Sequence, residues 1–246
     1  MGFIEHPADY HVGAKFKATN IVFPIVERNG RKKYIVKMPR RSTGLAYKYY
    51  AFQDQWLYGL RESCSGKKGI EREAEVLKKL QGDHAPRLEE YQEGVLVREY
   101  IYGEGIKEVS LDKKRKLVEG SLEALAKIHE KKVIVGGAHI KNVLMTTGYD
   151  WRVCWVDFDG RFDESDEVKA RAVDLIQTVY SVYAETHDAD LTVFAASRVK
   201  KYPLMEVKKQ VAELVSEREN SIGWWFATRI PRDGKLDAKI KVTLTK

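Results

Sequence analysis

An apolar strand that runs straight into two carboxylates is the feature that most narrows what this chain can fold into. The segment WRVCWVDFDG places Asp157 and Asp159 directly after a run of apolar residues, with Gly160 at the end of the turn. An exposed turn is the simpler interpretation, because Asp is a frequent turn residue. The unbroken apolar run favours another one, a buried strand that carries carboxylates at its end.

The chain divides by pattern into a β-rich first part and a mostly helical second part. Residues 1–102 contain strands with a hairpin at Asn29-Gly30, an aromatic-rich helical stretch over 44–60, an amphipathic helix around Glu73, and two more strands. Residues 103–246 contain a long helix, a loop with two short strands, three more helices, and a basic tail with two adjacent tryptophans. We therefore predict an α+β, bilobal fold with an N-lobe over 1–102 and a C-lobe over 103–246.

Composition is typical of a globular protein. Hydrophobic residues make up 43% and charged residues 32% of the chain, which is too apolar for a disordered protein. No apolar run reaches the length that a bilayer requires, and two isolated cysteines form no zinc pattern and indicate a reducing, cytoplasmic setting. Scarce Asn with abundant Lys, Glu and Arg hints at a thermophilic source. The formal charge of +7 fits either a solvated surface or a polyanionic partner.

Five short segments occur in a fixed order along the chain. They are YIVK ending at Lys37, EREAEVL with Glu73, REYI over 98–101, GAHIKNVLM with Asn142, and WVDFDG with Asp157. Each is weak alone, but the ordered set resembles the protein-kinase superfamily, nearest to its small Bud32-type and RIO-type atypical members. The resemblance implies a bilobal protein-kinase-like fold, ATP and Mg²⁺ as cofactors, and activity as an ATP-dependent phosphotransferase.

The resemblance also implies a role for each segment. Lys37 would contact the α- and β-phosphates as a point charge, and Glu73 would hold it through an ion pair. The backbone of Glu99 and Ile101 would bind adenine at a hinge. Asn142 and Asp157 would hold Mg²⁺ against the phosphates, since both offer oxygen ligands. Taken singly, Lys37 and Glu73 are more often ordinary solvated charges.

The sequence departs from the family pattern at the catalytic base. The family's aspartate would stand five residues before Asn142, where this chain has Gly137. His139 in the same loop is one substitute, because it would face the γ-phosphate and stabilise it or accept a proton. Asp159 is another, as base or second metal ligand, in an Asp-Phe-Asp turn that resembles that of lipopolysaccharide-sugar kinases. Gly137 is also compatible with a non-catalytic, ATP-binding pseudokinase.

Two further positions concern the phosphate loop and the catalytic loop. The family's glycine-rich phosphate loop is reduced to Gly13 in HVGAKFKATN, so that Lys15 or Lys17 would have to cover the phosphates. Asp174 in RAVDLIQTVY matches a family aspartate that braces the catalytic loop, and its apolar neighbours favour burial over a surface position.

The acceptor is predicted from what the chain lacks and from its charge. Almost no residues separate Asp159 from the helix near Val168, so the segment that holds an extended peptide is missing. Clustered cations bind the phosphates of a nucleic-acid backbone, and aromatic side chains stack on its bases. These features make RNA the leading acceptor. The RNA-binding candidates are Arg40, Arg41, Lys67, Lys68, Trp224, Trp225, Arg229 and Arg232. Singly, each cluster is better explained as a solvated helix face, and the Trp pair as core packing.

The resemblance narrows this acceptor to tRNA. Bud32-type kinases work with tRNA-modifying machinery, and archaeal tRNA kinases of this fold phosphorylate a ribose 2′-hydroxyl, so we predict tRNA as the substrate and partner. The alternatives are an atypical Ser/Thr protein kinase and an ATP-binding partner module without activity. Neither a membrane partner nor a metal other than Mg²⁺ is expected.

Overall fold

The computed structural model describes residues 3–16, 20–30, 32–40, 66–147, 151–160, 166–216 and 234–245. The predicted helix over 44–60 and part of the RNA-binding set lie outside these ranges. The candidates concerned are Arg41, Trp224, Trp225, Arg229 and Arg232. Within the described ranges, none of the helices combines the length and the apolar composition needed to cross a membrane.

The N-lobe contains a five-stranded antiparallel sheet, preceded by a short 3-10 helix at Pro7–Asp9. Its strands are β1 (Tyr10–Val12), β2 (Ile21–Glu27), β3 (Lys33–Met38), β4 (Leu88–Gln92) and β5 (Val95–Glu99), in the spatial order β1-β2-β3-β5-β4. The predicted hairpin joins β2 to β3, and Gly30 turns it with φ 71°, a backbone conformation that costs glycine little. The central position of β3 gives it a partner on each side.

Strand alternation sorts the side chains of this sheet onto two faces. Phe23, Ile25, Val36 and Val97 form a small core on one face. The residues between them in β3 and β5 face the other way, toward helix α1 (Lys67–Leu80). Helix α1 was predicted from its apolar stripe, and Ile70, Ala74, Leu77 and Leu80 of that stripe are all buried.

The C-lobe is built from five helices and a small sheet within the described residues. The helices are α2 (Leu111–Glu130), α3 (Glu167–Thr186), α4 (Ala189–Val199), α5 (Met205–Ser216) and α6 (Lys235–Thr245). The strands β6 (Gly103–Glu104), β7 (Val143–Thr146) and β8 (Val153–Trp155) form an antiparallel sheet in that order, and a 3-10 turn at Ile140–Asn142 leads into β7. Helix α3 lies at the centre and contacts α2, α4, α5 and the 3-10 turn. The predicted α+β architecture, with a β-rich N-lobe and a helical C-lobe, is confirmed.

One helix was not predicted from the sequence. The basic tail was interpreted only by its charge, yet its last part forms α6, which packs on α4 and α5. Its fully buried side chain is Ile240, and Leu244 is the next to be buried, one helical turn later. Two buried positions four residues apart, set among lysines and threonines, give too weak a periodic signal to predict a helix.

Candidate active site

Lys37 is the centre of a buried charge cluster between the lobes. It lies on β3 and is 5% exposed, on the sheet face that meets α1. Its Nζ lies 2.5 Å from Glu73 Oε2 on α1, 2.7 Å from Asp157 Oδ1 and 3.2 Å from Asp159 Oδ2. Residues far apart in sequence therefore meet at one ammonium group, and three of the predicted site residues join Lys37 there.

The electrostatics of this cluster keep Lys37 and Asp157 charged. Burial alone would lower the pKa of the Lys37 ammonium, but Asp157, Asp159 and Glu73 raise its pKa well above the usual value. Burial raises the pKa of Glu73, an effect that Lys37 opposes only in part. For Asp157 the effect of burial is outweighed by Lys37, so that its pKa lies below the usual value. Lys37 is thus a cation and Asp157 an anion throughout the neutral range.

Arg98 is a second cation in the cluster and was not predicted. Its Nε lies 3.7 Å from Glu73 Oε1, so Glu73 has a cation on each of its two oxygens. Burial lowers the pKa of the Arg98 guanidinium, and Glu73 and Asp157 oppose that effect. Sequence analysis considered only the backbone of this segment. The available signal was an arginine inside the apolar strand VLVRE.

Asn142 and Asp157 meet because β7 and β8 are neighbours. Val143 pairs with Trp155, which places the residue before β7 beside the residues that follow β8. Asn142 Nδ2 lies 3.4 Å from Asp157 Oδ2, and the Asn142 carbonyl accepts a hydrogen bond of 2.9 Å from Val156 N–H. The register of a two-strand ladder thus explains why residues fifteen positions apart share a site.

These two residues suit a Mg²⁺ ion that arrives with a nucleotide. Both offer oxygen ligands, and the side chain of Asp157 is 37% exposed toward the cleft. Among the described residues there is no group of three or more His, Cys, Asp or Glu side chains placed to hold a metal alone. Mg²⁺ is usually held by one or two side chains together with substrate phosphates, so this donor set fits it.

Asp159 is anchored on the N-lobe. Its Oδ2 contacts Lys37 and also accepts a hydrogen bond of 3.0 Å from Asn20 Nδ2. Asn20 is 1% exposed and immediately precedes β2, and its Oδ1 is buried without a hydrogen bond. Sequence analysis missed Asn20, since a single asparagine before a strand carries no distinguishing pattern. Asp159 therefore links the turn over 157–160 to the first sheet.

Arg72 and two glycines fix α1 against the same turn. Arg72 donates to the Phe158 carbonyl at 2.9 Å and to the Ile134 carbonyl at 2.7 Å. A Cβ at Gly160 would lie 2.7 Å from the Arg72 guanidinium, and one at Gly69 would lie 3.2 Å from the Asp159 carbonyl. A side chain at Gly160 would clash with the Val135 carbonyl, and one at Gly69 would be tight, so glycine allows helix and turn to pack closely with Glu73 facing Lys37.

Asp174 holds the loop before Asn142 from the centre of α3. It is fully buried and accepts hydrogen bonds from Val135 N–H at 2.8 Å and Gly136 N–H at 2.9 Å. His129 Nε2 lies 3.1 Å from the same carboxylate. Two loop amides that would otherwise be buried and unpaired thus have a strong acceptor.

Three more polar side chains of α3 continue this brace and were missed by sequence analysis. They follow Asp174 at helical spacing, on one side of an otherwise apolar helix. Gln177 accepts from Ala138 N–H at 3.2 Å, Thr178 donates to the Ala138 carbonyl at 2.9 Å, and Ser181 accepts from Ile140 N–H at 2.8 Å. The polar stripe itself was the signal that could have identified them.

His139 and Gly137 lie in the loop over 135–140, which side chains of α3 hold through hydrogen bonds. This segment is called the braced loop below. His139 is half-buried, and its backbone is fixed by hydrogen bonds from its N–H to the Gly137 carbonyl and from Asn142 N–H to its own carbonyl. A Cβ added at Gly137 would meet no atom within 4 Å, and its backbone is not left-handed. Neither a clash at Cβ nor the backbone conformation therefore requires glycine at position 137.

Comparison with known proteins identifies the architecture. No protein-family model and no curated protein matches the sequence. The Rio2 kinase–ADP/Mg²⁺–phosphoaspartate complex from Chaetomium thermophilum aligns with 87% of this chain and 74% of its own, at 13% identity and a TM-score of 0.54. An ethanolamine kinase from Plasmodium vivax aligns with 98% of this chain and 82% of its own, at 10% identity and a TM-score of 0.54. The chain has a protein-kinase-like fold.

The hinge of this fold is the segment after β5. Glu99 N–H donates to the Arg87 carbonyl at 2.9 Å, and Tyr100 N–H to the Lys33 carbonyl at 3.3 Å. These bonds hold the segment against the first sheet. The backbone of Glu99 and Ile101 was predicted to bind adenine, and the Glu99 carbonyl and the Ile101 N–H take part in neither of these two bonds. Their contact with a nucleotide stays a prediction.

The basic residues of the kinase-like fold differ in how far their charge is available. Lys67 and Lys68 are exposed at the start of α1, immediately before the glycine that packs on Asp159, and Arg40 is exposed after β3. By contrast, Arg198 and Lys201 on the C-lobe both contact Glu119, at 2.9 and 3.5 Å. Lys67 and Lys68 are therefore better placed for a polyanion than Arg198 and Lys201.

Replacing Asp174 by Ala is expected to destabilise the protein by about 2–5 kcal/mol, because two buried amides lose their acceptor. Urea unfolding of the variant measures this loss. Asp190→Ala is the matched control, since this carboxylate is 86% exposed and its loss should cost less than about 0.5 kcal/mol. Equal free energies of unfolding for the two variants would contradict the bracing role.

Proposed function

We propose that the chain transfers the γ-phosphate of ATP to a hydroxyl of RNA, most specifically a ribose 2′-hydroxyl of tRNA. The observation that carries phosphotransfer is the position of Lys37, held by Glu73 of α1 and facing Asp157 at the end of β8. Nucleotide binding in this fold requires a cation for the phosphates and a carboxylate for the metal ion. The buried ammonium of Lys37 and the partly exposed carboxylate of Asp157 match these two requirements. That two similar structures are named as kinases, one with ADP and Mg²⁺, supports the proposal.

The residues of the chain divide the work of the reaction. The Glu99 carbonyl and the Ile101 amide bind the base, and Lys37 binds the α- and β-phosphates. Asn142 and Asp157 would hold Mg²⁺, which neutralises phosphate charge when bound. The acceptor oxygen forms a bond to the γ-phosphorus, the bond to the bridging oxygen of ADP breaks, and His139 accepts the hydroxyl proton.

The absence of the family's aspartate is compatible with this chemistry. Phosphoryl transfer depends mainly on positioning and charge neutralisation, so a formal base contributes only part of the rate. The braced loop fixes the backbone of His139 three residues before Asn142. A single residue type at position 137 therefore does not decide between an active enzyme and a pseudokinase.

An RNA acceptor is supported by length and charge. Only residues 161–166 separate Gly160 from α3, too few for the platform on which an extended peptide would lie. Lys67 and Lys68 present two exposed cations next to the metal-binding turn. A backbone of phosphates would be attracted to this edge of the cleft.

Incubation with γ-labelled ATP and either total tRNA or a protein mixture tests the proposal. Label in tRNA that is resistant to removal of terminal phosphates supports transfer to an internal hydroxyl. Label in protein alone would favour an atypical Ser/Thr kinase. Nucleotide binding without any transfer would favour the pseudokinase that Gly137 suggests.

Binding of tRNA is expected to weaken steeply with salt, because each phosphate contact releases counterions. Affinity measured between low and physiological salt should fall with a log–log slope of several units. Changing Lys67 and Lys68 to Gln should make that slope shallower by about 1–2, at roughly 0.7–0.9 per contact. Lys209→Gln, an exposed lysine on α5, is the control. A slope that is unaffected by the double change would remove these lysines from the RNA surface.

A further inference from the structure

Arg98 is a buried cation whose hydrogen-bonding capacity is unused. Its side chain is 10% exposed, and within the described residues its one ion-pair contact is Glu73, at 3.7 Å from Nε, too long for a hydrogen bond. Nε is buried without a partner, and neither Nη atom donates a hydrogen bond to any residue in the described part of the chain. A guanidinium carries five N–H donors, so a buried one that makes no hydrogen bond indicates a ligand with acceptor atoms.

The position of Arg98 identifies which part of a ligand would meet it. On β3 and β5, Ile35 lies opposite Arg98 and Lys37 lies opposite Leu96, so both cations project from the same sheet face. Arg98 stands immediately before Glu99, and Lys37 stands two positions farther from the hinge. A nucleotide that reaches from the hinge to Lys37 therefore passes Arg98 with its base.

Adenine nucleotides and 6-oxopurine nucleotides differ in the hydrogen-bond acceptors of their bases. Adenine has an amino group at position 6, whereas guanine and hypoxanthine have a carbonyl oxygen there, beside the acceptor N7. Arginine binds O6 and N7 together with two parallel hydrogen bonds, but it has no acceptor for an amino group. A 6-oxopurine also offers its N1–H to a backbone carbonyl such as that of Glu99.

We propose that Arg98 determines base specificity and that the site binds 6-oxopurine nucleotides at least as tightly as adenine nucleotides. GTP or ITP would then serve as phosphoryl donor beside ATP. The inference rests on the proposed nucleotide site. The guanidinium would remain beside Glu73 and direct its Nη groups to the base.

Binding of ADP and IDP, measured by calorimetry with Mg²⁺, tests this inference without an acceptor. The two ligands differ only at the position-6 edge of the base. The wild type should bind IDP at least as tightly as ADP. Arg98→Met should lower the ratio of IDP to ADP affinity by about 10- to 100-fold, the discrimination of one bidentate pair. Arg98→Lys retains a cation near Glu73 but not the fork, so it should lose most of the same ratio.

The outcomes separate this inference from the proposed function. If the wild type binds ADP more than about tenfold more tightly than IDP, the proposal that Arg98 determines base specificity is wrong. No variant is needed for that conclusion. If Arg98→Met and Arg98→Lys lower both affinities equally, Arg98 acts only on Glu73, and phosphotransfer stands. A wild type that binds neither nucleotide overturns both proposals.

Discussion

Replacement of Lys37 by Met is expected to reduce phosphotransfer at least about 10³-fold, because the phosphates lose their buried cation. The same loss is expected for Asp157→Asn, which removes a charged metal ligand but keeps its size. Single-turnover assays with labelled ATP measure both variants. Lys32→Met, an exposed lysine just before β3, is the control and should behave like the wild type.

The two variants should differ in stability, which separates loss of chemistry from loss of fold. Without Lys37, Glu73 is buried with only Arg98 at 3.7 Å, and removing one partner of a buried pair costs about 3–5 kcal/mol. Adding Glu73→Gln to Lys37→Met should restore much of the melting temperature and none of the activity. If the double variant is stable and turns over within about tenfold of the wild type, Lys37 is not the phosphate-binding residue.

The parts of the site that the sequence predicted are those tied to strong local patterns. Lys37 lies near the end of a β-strand, Glu73 lies on a clearly amphipathic helix, and Asp157 follows an apolar strand. Each local pattern fixes the direction of a side chain, and the order of the elements implies which of them meet. The contacts of Lys37 with the carboxylates of Glu73 and Asp157 are consistent with that order of elements.

The parts that were missed depend on tertiary contacts that no local pattern specifies. Asn20 and Arg98 are single polar residues whose partners, Asp159 and Glu73, lie on other elements. Their burial is set by how α1 and the turn over 157–160 pack on the sheet. A sequence read one element at a time assigns such residues to the surface, since that is where Asn and Arg usually lie.

Helix α3 shows the same limit within one element. Asp174 was identified by resemblance, while the three polar residues that follow it were only included in a predicted helix. A stripe of polar groups on a buried helix destabilises the fold unless a neighbouring backbone forms hydrogen bonds with it. The braced loop supplies that backbone, so the stripe could have predicted a contact with irregular chain, although not which segment.

His139→Ala is expected to slow turnover by about 10²–10⁴-fold, the usual contribution of a positioned acid–base group. ATP affinity should change much less, because Lys37, Asn142 and Asp157 are left in place. Asp159→Asn is expected to act differently, since Asp159 contacts Lys37 and Asn20 and so supports the cleft itself. It should weaken nucleotide binding, whereas His139→Ala should lower the rate at saturating ATP. His11→Ala, an exposed histidine on β1, is the control.

The open space at position 137 allows a stricter test of the same assignment. Because a Cβ there meets no atom within 4 Å, Gly137→Asp should fold normally and return a carboxylate to the catalytic loop. In the His139→Ala background this change should recover part of the lost rate, since either group can accept the hydroxyl proton. If His139→Ala turns over normally while Asp159→Asn is inactive with nucleotide bound, Asp159 is the base. In that case His139→Ala leaves no lost rate to recover, and the Gly137→Asp/His139→Ala double variant should turn over like His139→Ala alone.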